Sequence, residues 1–212
     1  RFKEFCNKAE SKDGKCVLII DEINRANLSR VFGELMYLLE YRDREIPLAG
    51  GKSLNIPSNV RILGTMNTAD QSIALLDVAL RRRFGFKELM PNPDLLENQE
   101  IDGVNLGKWL NELNNRISEK IGRNLQVGHS YLMKNAEPIQ NKDQLIAVFK
   151  DEILPLLQEY CYDDYFTLKE IIGPDLVNEQ KKKFKEDLNS SKGREIIIKA
   201  MKKMIPGDEK GE

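Results

Sequence analysis

The run Cys16-Val-Leu-Ile-Ile-Asp-Glu22 constrains the fold of this chain more than any other segment. Five apolar residues end in two adjacent carboxylates. An uninterrupted apolar run suits a strand buried on both faces of a parallel sheet, because a half-solvated strand alternates. Open α/β sheets bind ligands outside the carboxyl ends of their strands, so Asp21 and Glu22 stand where a ligand would be met. There Asp21 would hold the shell of a Mg²⁺ ion, and Glu22 would orient and polarise an attacking water. A buried strand followed by a solvated acidic turn accounts for the run equally well, and the run alone does not decide between them.

Two later segments shift that balance. Val60-Arg-Ile-Leu-Gly-Thr-Met66 reads as a second short strand and ends in Asn67-Thr-Ala-Asp70. An amide at the end of a neighbouring parallel strand would point into the same crevice as Asp21 and Glu22. There it would hydrogen-bond a γ-phosphate or the water that attacks it. Leu76-Asp-Val-Ala-Leu-Arg-Arg-Arg-Phe84 follows, with three consecutive guanidiniums. Such a cluster is costly without anionic partners, and arginine forks match phosphate oxygens, so this is a candidate arginine-finger segment. For the arginines taken alone, a surface basic cluster is the simpler account.

Together, Ile19-Ile-Asp-Glu-Ile-Asn-Arg-Ala-Asn27, Gly64-Thr-Met-Asn-Thr-Ala-Asp70 and Ala79-Leu-Arg-Arg-Arg-Phe84 resemble the AAA+ motor family. More narrowly they are similar to its McrB type, the GTP-hydrolysing subunit of modified-cytosine-dependent restriction systems. Met66-Asn-Thr-Ala-Asp-Gln-Ser72 matches that type's signature, with Gln71 where the family usually has Arg. Val127-Gly-His-Ser-Tyr-Leu-Met133 and Ile153-Leu-Pro-Leu-Leu-Gln-Glu-Tyr160 favour the same branch, so the likeness runs from about Cys16 to about Gly173. It implies that Asp21-Glu22 is a Walker B pair, with Asp21 holding Mg²⁺ through water and Glu22 acting as catalytic base beside the metal. It implies that Asn67 is sensor 1 and that Asp70 is a second polar group orienting the water or an arginine. Arg82 and Arg83 become the finger supplied in trans, with Arg81 equally suited to a structural role. His129 would read the nucleotide from the lid, against the plainer reading of a hydrogen-bonded structural histidine. Asn24 and Arg25 would contact an adjacent subunit or serve helix entry. The implied cofactors are Mg²⁺ and GTP, or ATP. The implied partners are further copies in a ring, usually a hexamer, a nuclease subunit of the McrC type, and DNA through an upstream domain. An ATP-using relative of the MoxR or dynein type, or a non-catalytic interaction module, are the alternatives.

No phosphate-gripping loop is evident. The pattern Gly-x-x-x-x-Gly-Lys-[Ser/Thr] would place its first glycine at Ile46, and Gly51-Lys52-Ser53 sits in a short alternating stretch closed by Pro57. Residues 45–56 read instead as a β-hairpin turning at Gly50-Gly51. Only fifteen residues precede Cys16, and they read as one short helix. The expectation is a fragment cut between Walker A and Walker B, whose last core strand would lack a partner and rearrange, associate or be unstable.

The fold class expected is α/β: a truncated AAA+ parallel-sheet nucleotide-binding core over 1–90, then an all-helical lid over 91–212. Met90-Pro-Asn-Pro-Asp94 breaks regular structure twice and marks the boundary. Before it, helices are expected over 28–41 and 72–82 and a third strand over 84–89. Beyond it, helices are expected over 106–120, 142–160 with Pro155 as a kink or restart, 166–172, 176–188 and 195–204. Trp109 reads as lid core, and Lys181-Lys-Lys-Phe-Lys185 as a solvated face. With 33 Lys plus Arg against 34 Asp plus Glu, the net charge is −1, so composition gives no argument for nucleic-acid binding. No apolar stretch approaches the roughly 20 residues that span a bilayer. Three scattered cysteines fit cytoplasmic thiols better than a disulfide or zinc framework.

Overall fold

The computed structural model describes residues 1–25, 33, 35–42, 44–48, 51–67, 81–185 and 187–207. It divides into two compact units, Arg1–Glu88 and Leu89–Glu212.

The first unit opens with helix α1 (Phe2–Glu10), which buries Cys6 and Ala9. Strand β1 (Cys16–Ile20) follows, then helix α2 (Leu35–Glu40), the hairpin of β2 (Ile46–Leu48) and β3 (Lys52–Leu54), and strand β4 (Val60–Gly64). The hairpin pairs Ile46 with Leu54, and Gly51 takes φ +73° in its turn. Gly51-Lys52-Ser53 is therefore hairpin, not a phosphate loop. Strands β1 and β4 pair in parallel, with Cys16 opposite Val60 and Ile20 opposite Gly64. Asn59 fixes the start of β4 by donating to the carbonyls of Ala9, Lys12 and Gly14 at 2.9, 3.2 and 3.1 Å. One face of this pair, with Cys16, Val60 and Ile62, packs on Cys6, Ala9, Leu38, Leu54 and Ile56.

The opposite face departs from expectation. Val17, Ile19 and Leu63 are 53%, 64% and 54% exposed, so β1 is not buried on both faces. The packed elements named above cover only the side to which even-numbered residues of β1 point. The strand expected over 84–89 is also not formed. A strand needs a ladder for its N–H and C=O groups, and none of the described strands pairs there. Instead Phe86 is half-exposed beneath the Arg81 guanidinium, 5.8 Å from its ring centre, and Leu89 is exposed. Helix 28–41 is described only from Leu35 to Glu40. Residues 28–32 and 34 of that expected helix, the residues up to Leu80 of helix 72–82, and Gly50 lie outside the described residues.

The second unit is built on helices. A small ladder of β5 (Glu100–Ile101) with β6 (Val104–Asn105) leads into α3 (Leu106–Lys120). The Asn105 side chain caps α3 by accepting from Lys108 N–H. Its inner stripe, Leu106, Trp109, Leu110, Leu113 and Ile117, is fully buried. A second ladder joins β7 (Met133–Lys134) and β8 (Glu137–Pro138). The expected helix 142–160 is three pieces: α4 (Lys142–Val148), a π-helical segment Phe149–Ile153, and α5 (Leu154–Tyr160). The backbone widens into this π segment just ahead of Pro155, which lacks the N–H an α-helix would use there. Helix α6 (Tyr165–Ile172) is capped by Asp164, and α7 (Ser191–Met204) by Ser190.

Between α6 and α7 the expected helix 176–188 is not formed. A third ladder, β9 (Val177–Asn178) with β10 (Lys183–Phe184), takes its place. Lys182 at φ +46° turns the chain there, and Asn178 accepts from the N–H of Lys181. The turn buries Leu176, Val177 and Leu188 without a helical stripe. Trp109 and Phe149 meet edge-on at 6.0 Å inside one continuous core that reaches from Leu96 to Ile205.

Candidate functional site

The carboxyl ends of β1 and β4 carry the predicted polar residues. The parallel ladder continues one step past the strands, since Thr65 N–H donates to Ile20 O at 3.0 Å and Ile23 N–H to Thr65 O at 2.8 Å. This places Asp21-Glu22 beside Thr65-Met66-Asn67. The Thr65 hydroxyl donates to Asp21 Oδ1 and accepts from Glu22 N–H at 3.1 Å. Glu22 itself adopts φ +50°, in the left-handed region that non-glycine residues seldom enter. Such conformations persist where the surroundings over-determine them, and they cluster at functional sites. The Glu22 carboxylate is half-buried and faces Arg25, with Nε 3.2 Å from Oε2 in an ion pair that lacks hydrogen-bond alignment.

Asn24 bridges the two segments by donating from Nδ2 to Asn67 O at 3.3 Å. Within the chain this places Asn24 at the junction of both predicted motifs. Its Oδ1 is buried without a hydrogen-bond partner among the described residues. Beneath these polar groups lies a small apolar foot. Ile23 is buried there, with Met66 and Phe84 packed against it. Each of the three sequence motifs contributes at least one residue to that foot, so the segments bearing Glu22, Asn67 and Arg83 converge on it. Gly64 makes the approach feasible: a Cβ there would stand 2.9 Å from Ile23 Cδ1.

The arginines have distinct surroundings. Arg83 pairs with Glu40 at 2.6 Å, and only 21% of its side chain is exposed. Arg82 is exposed. Both line a cleft of about 460 Å³ with Leu39 and Glu40. Arg82 therefore has the accessibility a finger for a neighbouring molecule needs, whereas Arg83 is engaged within its own chain. Arg81 lies against Phe86. Asp70 and Gln71 lie outside the described residues.

His129 belongs to the second unit. Its Nδ1 accepts from the Asn92 N–H at 3.1 Å, which makes it the tie of the lid's entry segment. An accepting Nδ1 places the ring proton of the neutral imidazole on Nε2. Asn92 in turn caps the following turn by accepting from Asp94 N–H at 3.2 Å.

Among the described residues, no three His, Cys, Asp or Glu side chains cluster as a metal cage. Asp21 offers one further carboxylate oxygen beside the one bonded to Thr65. A site of that sort suits Mg²⁺, which keeps most of its waters and takes one or two carboxylates alongside phosphate oxygens.

Comparison with known proteins fits this geometry. The family model for an AAA domain of the dynein-related subfamily matches residues 3–84, and that for the McrB alpha-helical lid domain matches residues 105–169. The Type IV methyl-directed restriction enzyme EcoKMcrB subunit of Escherichia coli K12 is 40% identical across 77% of this chain. The chain belongs to the McrB-type AAA+ family. The Type II restriction enzyme BsuMI component YdiS of Bacillus subtilis 168 is 29% identical across 68% of the chain. The chain spans 40% and 48% of the lengths of these two relatives. Two residues of this candidate site escaped the sequence reading. Thr65 stands two positions before Asn67, so strand alternation puts both on one side, a signal that could have found it. Glu40, the partner of Arg83, is separated from it by 43 positions and carries no local signal.

Proposed function

We propose that this chain is the catalytic-carboxylate and lid portion of a GTP-hydrolysing motor subunit of a methyl-directed restriction system. The observation that carries the reading is the meeting of Asp21, Glu22 and Asn67 at the ends of two parallel strands. Asp21 would hold Mg²⁺ through its water shell, its geometry steadied by Thr65. Bound Mg²⁺ neutralises charge on the β- and γ-phosphates. Glu22 would accept the proton of the attacking water once turned from Arg25, and the Asn67 amide would hydrogen-bond that water or the γ-phosphate. Arg82 is the better candidate for a finger reaching a neighbouring copy's phosphate, a contact worth about 10³–10⁵ in rate in NTPases.

Likeness to a methyl-directed restriction enzyme subunit of E. coli supports a subunit that works with partners, and we take those partners to be further copies in a ring, a nuclease subunit of the McrC type, and DNA. The match to a dynein-related AAA model favours ATP as the second reading of the nucleotide. The test is turnover by the protein as it occurs in the cell, with GTP and ATP in parallel. Glu22→Gln should bind nucleotide yet lose at least about 10²-fold in turnover, the lower range for a general base. Full turnover by that variant removes Glu22 from its role. Turnover with ATP alone replaces the first nucleotide reading by the second.

A further inference from the structure

Among the described residues, the hydroxyl of Thr65 is the one side-chain group that hydrogen-bonds to both members of the carboxylate pair. Its bond directions are unambiguous. A backbone N–H only donates and an ionised carboxylate only accepts, so the single hydroxyl proton goes to Asp21 and a lone pair faces Glu22. The main chain of Thr65 is held separately, by Ile20 O and by Ile23 N–H. A β-branched side chain on a fixed backbone has little χ1 freedom, so the hydroxyl is held between its two partners. One of those partners, the Glu22 amide, belongs to a residue at φ +50°. That backbone conformation sets the direction in which the Glu22 side chain leaves the strand.

We propose that Thr65 is a positioning residue, whose hydroxyl orients the Asp21 carboxylate and holds Glu22 in its left-handed conformation. With Oδ1 engaged by Thr65, Asp21 would hold the ion's water shell through its other carboxylate oxygen, Oδ2. The bond to the Glu22 amide keeps the carboxylate aimed from the strand end instead of relaxing into an ordinary turn. The inference rests on the carboxylate roles proposed above, but its first test does not.

That first test needs neither nucleotide nor metal. In this 212-residue chain, amide hydrogen exchange at Glu22 should quicken at least tenfold, roughly the loss of one net hydrogen bond, in Thr65→Val, which keeps shape and removes the hydroxyl. Thr65→Ser should restore protection. The Ile23 amide bonds to the Thr65 main chain and should stay protected in both variants. Unchanged Glu22 exchange in Thr65→Val overturns the proposal. So does a parallel loss at Ile23, because the effect would then be a local loss of fold.

The second test is turnover by the protein as it occurs in the cell. Thr65→Val should lower kcat about 10- to 100-fold, as the loss of an outer-shell partner does. It should also raise the Mg²⁺ needed for half-maximal rate and leave KM within about threefold, while Thr65→Ser stays near the parent. Wild-type kcat and Mg²⁺ dependence in Thr65→Val overturn the positioning role. Full turnover by Glu22→Gln instead overturns the catalytic reading, and the exchange result at Glu22 stands apart from it.

Discussion

The two units of this chain bury their apolar residues to different degrees. In the second, one core gathers Trp109, Leu110, Leu113, Phe149, Leu157 and Ile197, all at 0 or 1% exposure. In the first, the main cluster is seven buried residues among the described ones, and the sheet it supports leaves Val17, Ile19 and Leu63 largely open. Apolar burial is worth about 25 cal/mol per Å². A helix stripe that meets partners on its inner side obtains that term within the unit, and a parallel sheet obtains it only when both faces are covered. The lid is thus self-sufficient in its packing, whereas the first unit displays its candidate site on a sheet with one side uncovered among the described residues.

The largest effect that would test this contrast is in the lid. Trp109→Ala should remove about 3–5 kcal/mol of stability, the usual cost of emptying a large core site, read from denaturant unfolding followed by helical circular dichroism. The Trp109 indole N–H has no hydrogen-bond partner among the described residues. Trp109→Phe should therefore cost clearly less than Trp109→Ala, since it removes an unsatisfied buried donor along with some volume. A loss below about 1 kcal/mol in Trp109→Ala, far under the range for such sites, would mean that the lid core is not the rigid partner in the comparison.

Next in size is Asn114, the buried polar residue of the same helix. Its side chain accepts from Val127 N–H at 2.7 Å and donates to Val127 O at 2.9 Å, closing the loop after α3 onto the core. Asn114→Ala should cost about 1–3 kcal/mol, because two buried main-chain groups lose their partner. The same unfolding measurement checks it. Exchange at the Val127 amide should rise with it, and if that amide stays protected the loop is held by something else.

The contrast also explains what could be read from sequence. Helix 106–120 was legible because Leu106, Leu110, Leu113 and Ile117 repeat at helical spacing and the helix buries that stripe in its own unit. The hairpin over 45–56 was legible from its glycines and Pro57. Double burial of β1 was not borne out, because an apolar run reports the environment a strand is suited to, not the neighbours packed around it here. The strand over 84–89 and the helix over 176–188 failed for related reasons. The first has no ladder partner among the described strands, and the second was overridden by a turn at Lys182 and a two-residue ladder. Of the candidate site, Asp21, Glu22 and Asn67 could be brought together on paper because strand ends in a parallel sheet share an edge. The Glu40 partner of Arg83 depends on how α2 packs, and no periodicity encodes it.

Thiol chemistry gives a smaller difference between the units. Burial, helped by the nearby Asp164 carboxylate, pushes the Cys161 thiol up to about 11 from an ordinary 9.0. Burial likewise raises Cys6. Cys16 on β1 is only half-buried. Near neutral pH, a maleimide should label Cys16 first and leave Cys161 until the lid opens. A folded-state value above the unfolded one means that the protonated thiol favours the fold. The contribution is fully present below about 9 and is lost as pH rises through about 11. Lid stability should fall across that window in the parent and fall less steeply in Cys161→Ala. Equal slopes would show that the buried thiol is not linked to unfolding.

The smallest expected effect is the sharpest test of the uncovered face. Ile19 is 64% exposed, while Val60 in the neighbouring strand is at 0%. Ile19→Thr keeps a β-branched side chain, so strand propensity changes little and the measurement reports burial. At an exposed site the change in stability should stay within about 0.5 kcal/mol. Val60→Ala, from the covered face of the same ladder, should cost more, because it leaves a cavity against Cys6 and Ile56. If Ile19→Thr cost well above 1 kcal/mol, beyond what surface substitutions do, that face would be buried in solution and the asymmetry between the units would disappear. If the two variants differ in the stated order, β1 is covered on one side only. The carboxylates at its end then stand on a strand held by Thr65, Asn24 and the apolar foot of Ile23, Met66 and Phe84.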